Sequence, residues 1–270
     1  MDPTHTVPTA AAALPSGRPM PLLGFGTWQL AGTDATHATT WALKAGYRHL
    51  DTATVYENEG LVGAALAASG VPRSDVFITT KVPPHQAGKE RATLETSLEL
   101  LQTDHVDLWL IHWTPEEDAP GSGVGVGLWR ALIEARAQGL ATDIGVSNYS
   151  LDQIDQLIAA TGVTPAVNQI EWSPLLFDAT QLAGHRERGI TLEGYSALRG
   201  GTLENPVVGA IAERLARTPA QVIIRWHLEH GIVVIPKSRE EHRIVSNADV
   251  GGFSLTDDDV ALLDAVGEQR

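Results

Sequence analysis

The stretch Asp51-Thr52-Ala53-Thr54-Val55-Tyr56 reads as the end of a buried strand that tips straight into a loop carrying a tyrosine. Before it, Tyr47-Arg48-His49-Leu50 is short and β-prone; after it, Glu57-Asn58-Glu59-Gly60 is turn-like and leads into an Ala/Leu-rich helical pattern. Asp51 and Tyr56 are therefore expected at a strand's carboxyl end. Two later strands finish in the same way, residues 76–80 running into Lys81 and residues 106–111 into His112. In a parallel barrel the carboxyl ends of all strands open onto one face, and the chemistry is built there.

Working outward, short apolar runs alternate with amphipathic helical patterns. Candidate strands are 22–26, 47–51, 76–81, 106–112, 143–147, 166–170, 191–195 and 232–235. Between them apolar residues recur at spacings of three and four, as in Leu94, Leu98 and Leu101, or Leu151, Ile154, Leu157 and Ile158. Ser150 with Gln153, and Thr218 with Pro219 and Gln221, read as capped helix starts. Eight strand-helix units predict an α/β fold, a (β/α)8 TIM barrel, with a doubly wound open sheet as the alternative. Residues 7–14 and 18–21 flank Pro15-Ser16-Gly17 and are expected to form an N-terminal β-hairpin closing the bottom. Residues 256–266 read as a last amphipathic helix. With no linker-like break, residues 1–270 are expected to form one domain.

With 43% hydrophobic and 19% charged residues, the composition suits a globular protein with a full core. No stretch approaches the roughly 18 apolar residues of a membrane-spanning helix, and the Ala10-Ala11-Ala12-Ala13 run has no basic region before it, against a signal peptide. The absence of cysteine fits a reducing compartment, and a cytoplasmic location is expected. A net charge of −14 disfavours nucleic-acid or anionic-membrane partners. The ten histidines show no paired spacing for a metal site.

A tyrosine, with an ordinary pKa of about 10, needs help as a proton donor to a developing alkoxide. Lys81 can supply it by stabilising the phenolate, Asp51 by pairing with Lys81, and a neutral His112 by orienting a carbonyl oxygen toward Tyr56. Two decoys fail. The stretch 121–127, Gly-Ser-Gly-Val-Gly-Val-Gly, lacks the Lys-Ser/Thr of a phosphate loop and reads as a mobile substrate loop. Gly145-Val146-Ser147-Asn148-Tyr149 has Tyr149 where a nucleophile elbow closes with glycine.

From about Leu14 to Val266 the chain resembles the aldo-keto reductases, specifically the short prokaryotic branch similar to 2,5-diketo-D-gluconate reductases. The motifs are Leu23-Gly24-Phe25-Gly26-Thr27-Trp28, Gly46-Tyr47-Arg48-His49-Leu50-Asp51-Thr52-Ala53, Thr79-Thr80-Lys81, Leu110-Ile111-His112-Trp113, Gly145-Val146-Ser147-Asn148, Asn168-Gln169-Ile170-Glu171 and Ile235-Pro236-Lys237-Ser238. The resemblance implies that Tyr56 is the general acid/base, that Lys81 and Asp51 tune it and that His112 positions the substrate. It further implies NADPH, with NADH as an alternative, bound without a Rossmann domain; Gln29 indeed stands where a dinucleotide fingerprint needs its third glycine. Ser147, Asn148 and Gln169 would hold the carboxamide and Tyr195 would stack on the nicotinamide. The loop from Ser196 through Leu198 and Gly200, with Lys237, Ser238 and Arg243, would hold the phosphates, and Asn247 lies toward the adenine end.

By the same resemblance, the substrate is a small-molecule aldehyde, ketone or keto acid, in an open pocket lined by Trp28, Val55, Trp113 and Trp172. Val82-Pro83-Pro84 stands where many members carry a tryptophan, removing one wall; Thr114 replaces a usual proline, and a long closing tail is missing. The competing expectation is a cofactor-binding regulatory subunit with the same barrel and little turnover. Nothing in these motifs sets an oligomeric state.

Overall fold

Residues 6–115 and 125–269 are described by a computed structural model of the chain. Of the glycine-rich stretch, positions 121–124 lie outside the described residues, so its expected role is left aside. Two short strands come first, β1 (Ala11–Ala13) and β2 (Pro19–Pro21), paired antiparallel with Ala11 opposite Pro21 and Ala13 opposite Pro19. Their turn needs glycine: Gly17 has φ 85° and donates its N–H to the Leu14 carbonyl at 2.9 Å.

Strands and helices then alternate: β3 (Phe25–Gly26), α1 (Gly32–Ala45), β4 (His49–Asp51), α2 (Glu59–Ser69), β5 (Phe77–Val82), α3 (Glu90–Leu101), β6 (Val106–Ile111), α4 (Val126–Ala137), β7 (Ala141–Ser147), α5 (Leu151–Thr161), β8 (Val167–Glu171) and α6 (Ala179–Glu187). The chain continues through β9 (Thr191–Tyr195), α7 (Pro206–Leu215), α8 (Pro219–Glu229), β10 (Val233–Val234), α9 (Glu241–Ala248) and α10 (Asp257–Asp264). β3 to β10 form one parallel sheet in sequence order. Leu23 bridges Val234 in parallel, Gly24 N–H donates to the Val234 carbonyl at 2.9 Å, and Val234 N–H donates to the Leu22 carbonyl at 2.8 Å. The sheet therefore closes into a barrel and the open-sheet alternative falls. The strands expected at 22–26 and 232–235 shrink to two residues each, because pairing at this seam is carried by isolated bonds.

All six residues of β5 and all six of β6 are buried, because helices cover one face and the barrel interior fills the other. The hairpin plugs the end opposite the strands' carboxyl termini. Arg18 donates to Asp107 of β6 at 2.8 Å and to the Val76 carbonyl just before β5 at 3.1 Å, while Ser16 bonds Asp143 of β7. Arg73 also reaches Asp107 at 2.8 Å, so that buried carboxylate is twice paired. Both expected capping boxes form, Ser150 with Gln153 on α5 and Thr218 with Gln221 on α8, the latter with Pro219 in the first turn.

Candidate active site

β4 ends on Asp51, and the chain turns at once through a 3-10 turn, Thr54–Tyr56. The buried Asn58 pins that turn: its amide donates to the Thr27 and Leu30 carbonyls, each at 2.9 Å, and its oxygen accepts from the Thr52 hydroxyl at 2.8 Å. Thr54 adds a bond to the Lys81 carbonyl at 2.7 Å. Along β5, Thr80 faces outward to Glu59 of α2, at 2.5 Å, so its neighbour Lys81 faces into the barrel.

The fully buried Lys81 ammonium donates to both Asp51 oxygens, at 2.7 and 2.8 Å, and to the Thr52 carbonyl at 2.9 Å. It also lies 5.1 Å from the Tyr56 ring centroid. Burial pulls the Lys81 pKa down, but Asp51 and Tyr56 outweigh it and the net shift is upward. Gln169 of β8 donates its amide to the second Asp51 oxygen at 2.8 Å. Burial raises the Tyr56 pKa and Lys81 lowers it less, so the phenol stays protonated at neutral pH. His112 packs edge-on against Tyr56, with ring centroids 5.6 Å apart and planes at 73°. Burial, then the Lys81 charge, lowers its pKa to about 3, so the imidazole is neutral; its buried Nδ1 has no hydrogen-bond partner among the described residues.

Asp51, Tyr56, His112 and Gln169, with Lys81 buried behind them, floor a cleft of about 1310 Å³, above the roughly 300–1,000 Å³ usual for one small ligand. Ser147, Asn148, Gln169, Tyr195, Ser196, Leu198, Lys237, Ser238, Arg243 and Asn247 all line it. Asn148 sits at φ 63°, its amide on the His112 carbonyl at 3.1 Å and its oxygen accepting from the Tyr195 hydroxyl at 2.7 Å. Gly200, expected at the phosphates, lies outside the lining: after Ser196 turns at φ 56°, Ala197 to Arg199 face the cleft and the chain has left it by Gly200.

Of the expected pocket walls, Trp28 (43% exposed), Val55 (45%) and Trp113 (51%) stand at the mouth. Trp172 does not. It is 2% exposed and packs against Phe177, centroids 6.0 Å apart, and over Gly194 of β9, where an added Cβ would sit 3.1 Å from the Trp172 Cβ. Pro83 is likewise buried and outside the lining.

Three residues of the site were not singled out from the sequence. Asn58 looked like one more turn residue. Arg199 lies with its guanidinium 5.2 Å from the Trp28 ring centroid; an arginine between Ala197-Leu198 and Gly200-Gly201 is the signal. Glu193, wholly buried on β9, interrupts the apolar run Thr191-Leu192-Glu193-Gly194, where a charge has no packing reason to stand.

The closed barrel and this lysine-bound carboxylate beside a tyrosine and a histidine define an oxidoreductase of the carbonyl-reducing kind. The model of the Aldo/keto reductase family matches residues 22–268, and the chain belongs to that family. An aldo-keto reductase of Mycolicibacterium vanbaalenii is 45% identical over 96% of this chain and 95% of its own length. The glyoxal reductase of Bacillus subtilis is 41% identical over 95% of this chain and 92% of its own. Among solved structures, a Bombyx mori aldo-keto reductase in complex with NADP superposes with a TM-score of 0.88, at 32% identity, over 97% of this chain and 94% of that one.

The family uses NAD(P)H, and the cleft's donor set fits such a group. Burial lowers the Lys237 pKa most, and the nearby Arg239 and Arg199 charges add to it, so cations gather at this end of the cleft. Among the described residues neither Lys237 nor Arg243 enters an ion pair. A phosphate would relieve that crowding. At the other end Tyr195 offers an aromatic face beside Asn148.

Proposed function

We propose that the protein is an NADPH-dependent reductase of small aldehydes, ketones and keto acids in which Tyr56 is the proton donor. The observation that carries this reading is the Lys81 ammonium, held by both Asp51 oxygens beside a protonated Tyr56 at the cleft floor. The chemistry that a bound nicotinamide cofactor would supply is the hydride for the carbonyl carbon. Neutral His112 orients the carbonyl oxygen toward the Tyr56 hydroxyl. As charge builds on that oxygen, the Tyr56 O–H bond breaks and its proton goes to the oxygen, giving the alcohol. Lys81 stabilises the phenolate left behind, and Asp51 keeps Lys81 charged and in place. Tyr56 lines the open cleft, so solvent can return the proton.

In this reading Ser147, Asn148 and Gln169, which line the cleft, would hold the carboxamide, and Lys237, Ser238 and Arg243 the phosphates. The Bacillus relative's name and the apolar mouth of Trp28, Val55 and Trp113 make 2-oxoaldehydes and aryl aldehydes the first substrates to try. NADPH consumption by the purified protein with a panel of aldehydes, ketones and keto acids tests the reading. Turnover on several of them is expected. Tight NADPH binding without turnover on any would favour the regulatory-subunit role.

A further inference from the structure

Among the described residues of the barrel interior, Glu193 is an acid for which the mechanism above has no use. Glu193 is opposite Gln169 in the register of β8 and β9, and paired residues on neighbouring strands point to the same face. Gln169 reaches inward to Asp51, so Glu193 also points inward, behind the cleft floor and outside its lining. Neither carboxyl oxygen has a hydrogen-bond partner within 3.5 Å among the described residues; the nearby Gln169 amide, whose close bond goes to Asp51 at 2.8 Å, acts on it only weakly. Its nearest ionic contact is His49, 3.8 Å away on β4, which Thr79 already bonds at 3.1 Å. An ionised carboxylate so placed would be a buried charge without compensation, which proteins avoid by holding the proton.

We propose that Glu193 is a positioning residue that, as a neutral acid, keeps the barrel interior from holding a second negative charge when Tyr56 releases its proton. The proposal rests on the reading of Tyr56 as proton donor. The charged and titratable groups facing Glu193 are His49 and Asp51 on β4, Lys81 on β5 and Tyr56 after β4. Lys81 and Asp51 cancel, and burial holds His49 neutral with a pKa of about 4. With Glu193 neutral the interior passes from zero to one net negative charge during turnover; with Glu193 ionised it would pass from one to two. Burial first, then the Asp51 charge, pushes the Glu193 pKa up to about 8, against weaker opposition from the Gln169 amide and Lys81. Below that pH the neutral form prevails. Above it, ionised Glu193 makes the Tyr56 proton harder to release.

Glu193→Gln keeps the size and fixes the charge at zero. The measurement is the alkaline titration of tyrosinate absorbance for parent and variant, each minus the same chain carrying Tyr56→Phe. Tyr56 in Glu193→Gln is expected to ionise about one to two pH units lower than in the parent, the size a unit charge roughly 6–12 Å away produces at an effective dielectric near 20. In the parent, kcat for carbonyl reduction should decline as Glu193 ionises near pH 8, and Glu193→Gln should lack that decline. Equal midpoints, or a loss of kcat uniform across pH without a shift, would overturn the proposal. If Glu193→Gln does not fold, an infrared titration of the parent decides: a protonated-carboxyl band that disappears near pH 8 supports it, and no such band at pH 6 refutes it. Retained turnover in Tyr56→Phe overturns the proton-donor assignment and this proposal together. Lost turnover there with unmoved tyrosinate midpoints overturns this one alone.

Discussion

Lys81→Met removes the ammonium and keeps the length of the side chain, and the geometry sets how much that should cost. Lys81 Nζ is 5.1 Å from the Tyr56 ring centroid. At an effective dielectric near 20, a unit charge at that distance stabilises a phenolate by about 3 kcal/mol. If that help is realised mainly when the phenolate forms, kcat for reduction should fall roughly 200-fold with KM little changed. The same change strips Asp51 of its cation while the Gln169 amide remains. Breaking a buried pair from one side typically costs about 3–5 kcal/mol, unless the carboxylate takes up a proton. The double variant Asp51→Asn with Lys81→Met removes the orphaned charge, so it should regain much of the stability and none of the rate. Steady-state kinetics at fixed saturating NADPH, beside urea unfolding of all three proteins, make the comparison. A folded Lys81→Met with kcat within a few-fold of the parent would refute the reasoning. So would a double variant that recovered rate along with stability.

Arg243→Ala should weaken NADPH binding about tenfold or more at low salt, the worth of one charge-assisted bond to the 2′-phosphate, and leave NADH nearly untouched; equal losses for both would assign Arg243 to the shared part of the dinucleotide or to folding. Asp107→Ala should lower stability in urea by about 3–5 kcal/mol, because Arg18 and Arg73 both lose their carboxylate and the hairpin plug loosens. Stability should peak near pH 6.5. Burial lowers the pKa values of His49 and His227 to about 4 and that of His112 to about 3, against 6.5 for an ordinary histidine, so acid protonates the unfolded chain first and stability falls as pH drops from 6.5. Glu193 acts with the opposite sign: raised to about 8, it binds a proton in the folded state alone above its ordinary 4.5, so its contribution is lost as pH rises toward 8. Urea midpoints at pH 5, 6.5 and 8 check this; a midpoint no lower at pH 5 than at pH 6.5 would contradict it.

The barrel was legible because parallel strands buried on both faces leave apolar runs, and because those runs break off at Asp51, Lys81 and His112 in a way that packing alone does not ask for. Apart from the seam, the strand ends differ from expectation by one or two residues, as with Glu171, which β8 includes. At the seam local sequence is a poor guide, since two-residue strands draw their pairing from residues some two hundred positions away. Side-chain direction was harder still. Trp28, Trp113 and Trp172 are alike in type and each lies near a strand end, but the bare Gly194 backbone on the neighbouring strand makes room for Trp172 and draws it into the core. No reading of the segment around Trp172 alone contains that fact. Nor could sequence weigh burial, which raises the Tyr56 pKa, against the Lys81 charge, which lowers it less.

The central claim is that the Tyr56 hydroxyl donates its proton only as the carbonyl is reduced. Tyr56→Phe deletes that one oxygen from a ring held by the Thr54–Tyr56 turn and by edge-on contact with His112. The most direct measurement is kcat and NADPH affinity of this variant, side by side with the parent, on the best substrate found. Most turnover is expected to disappear while the NADPH dissociation constant stays within about twofold, since the hydroxyl acts in the transition state and not in the ground state. Parental turnover in Tyr56→Phe, or a loss of turnover matched by an equal loss of NADPH affinity, would contradict it.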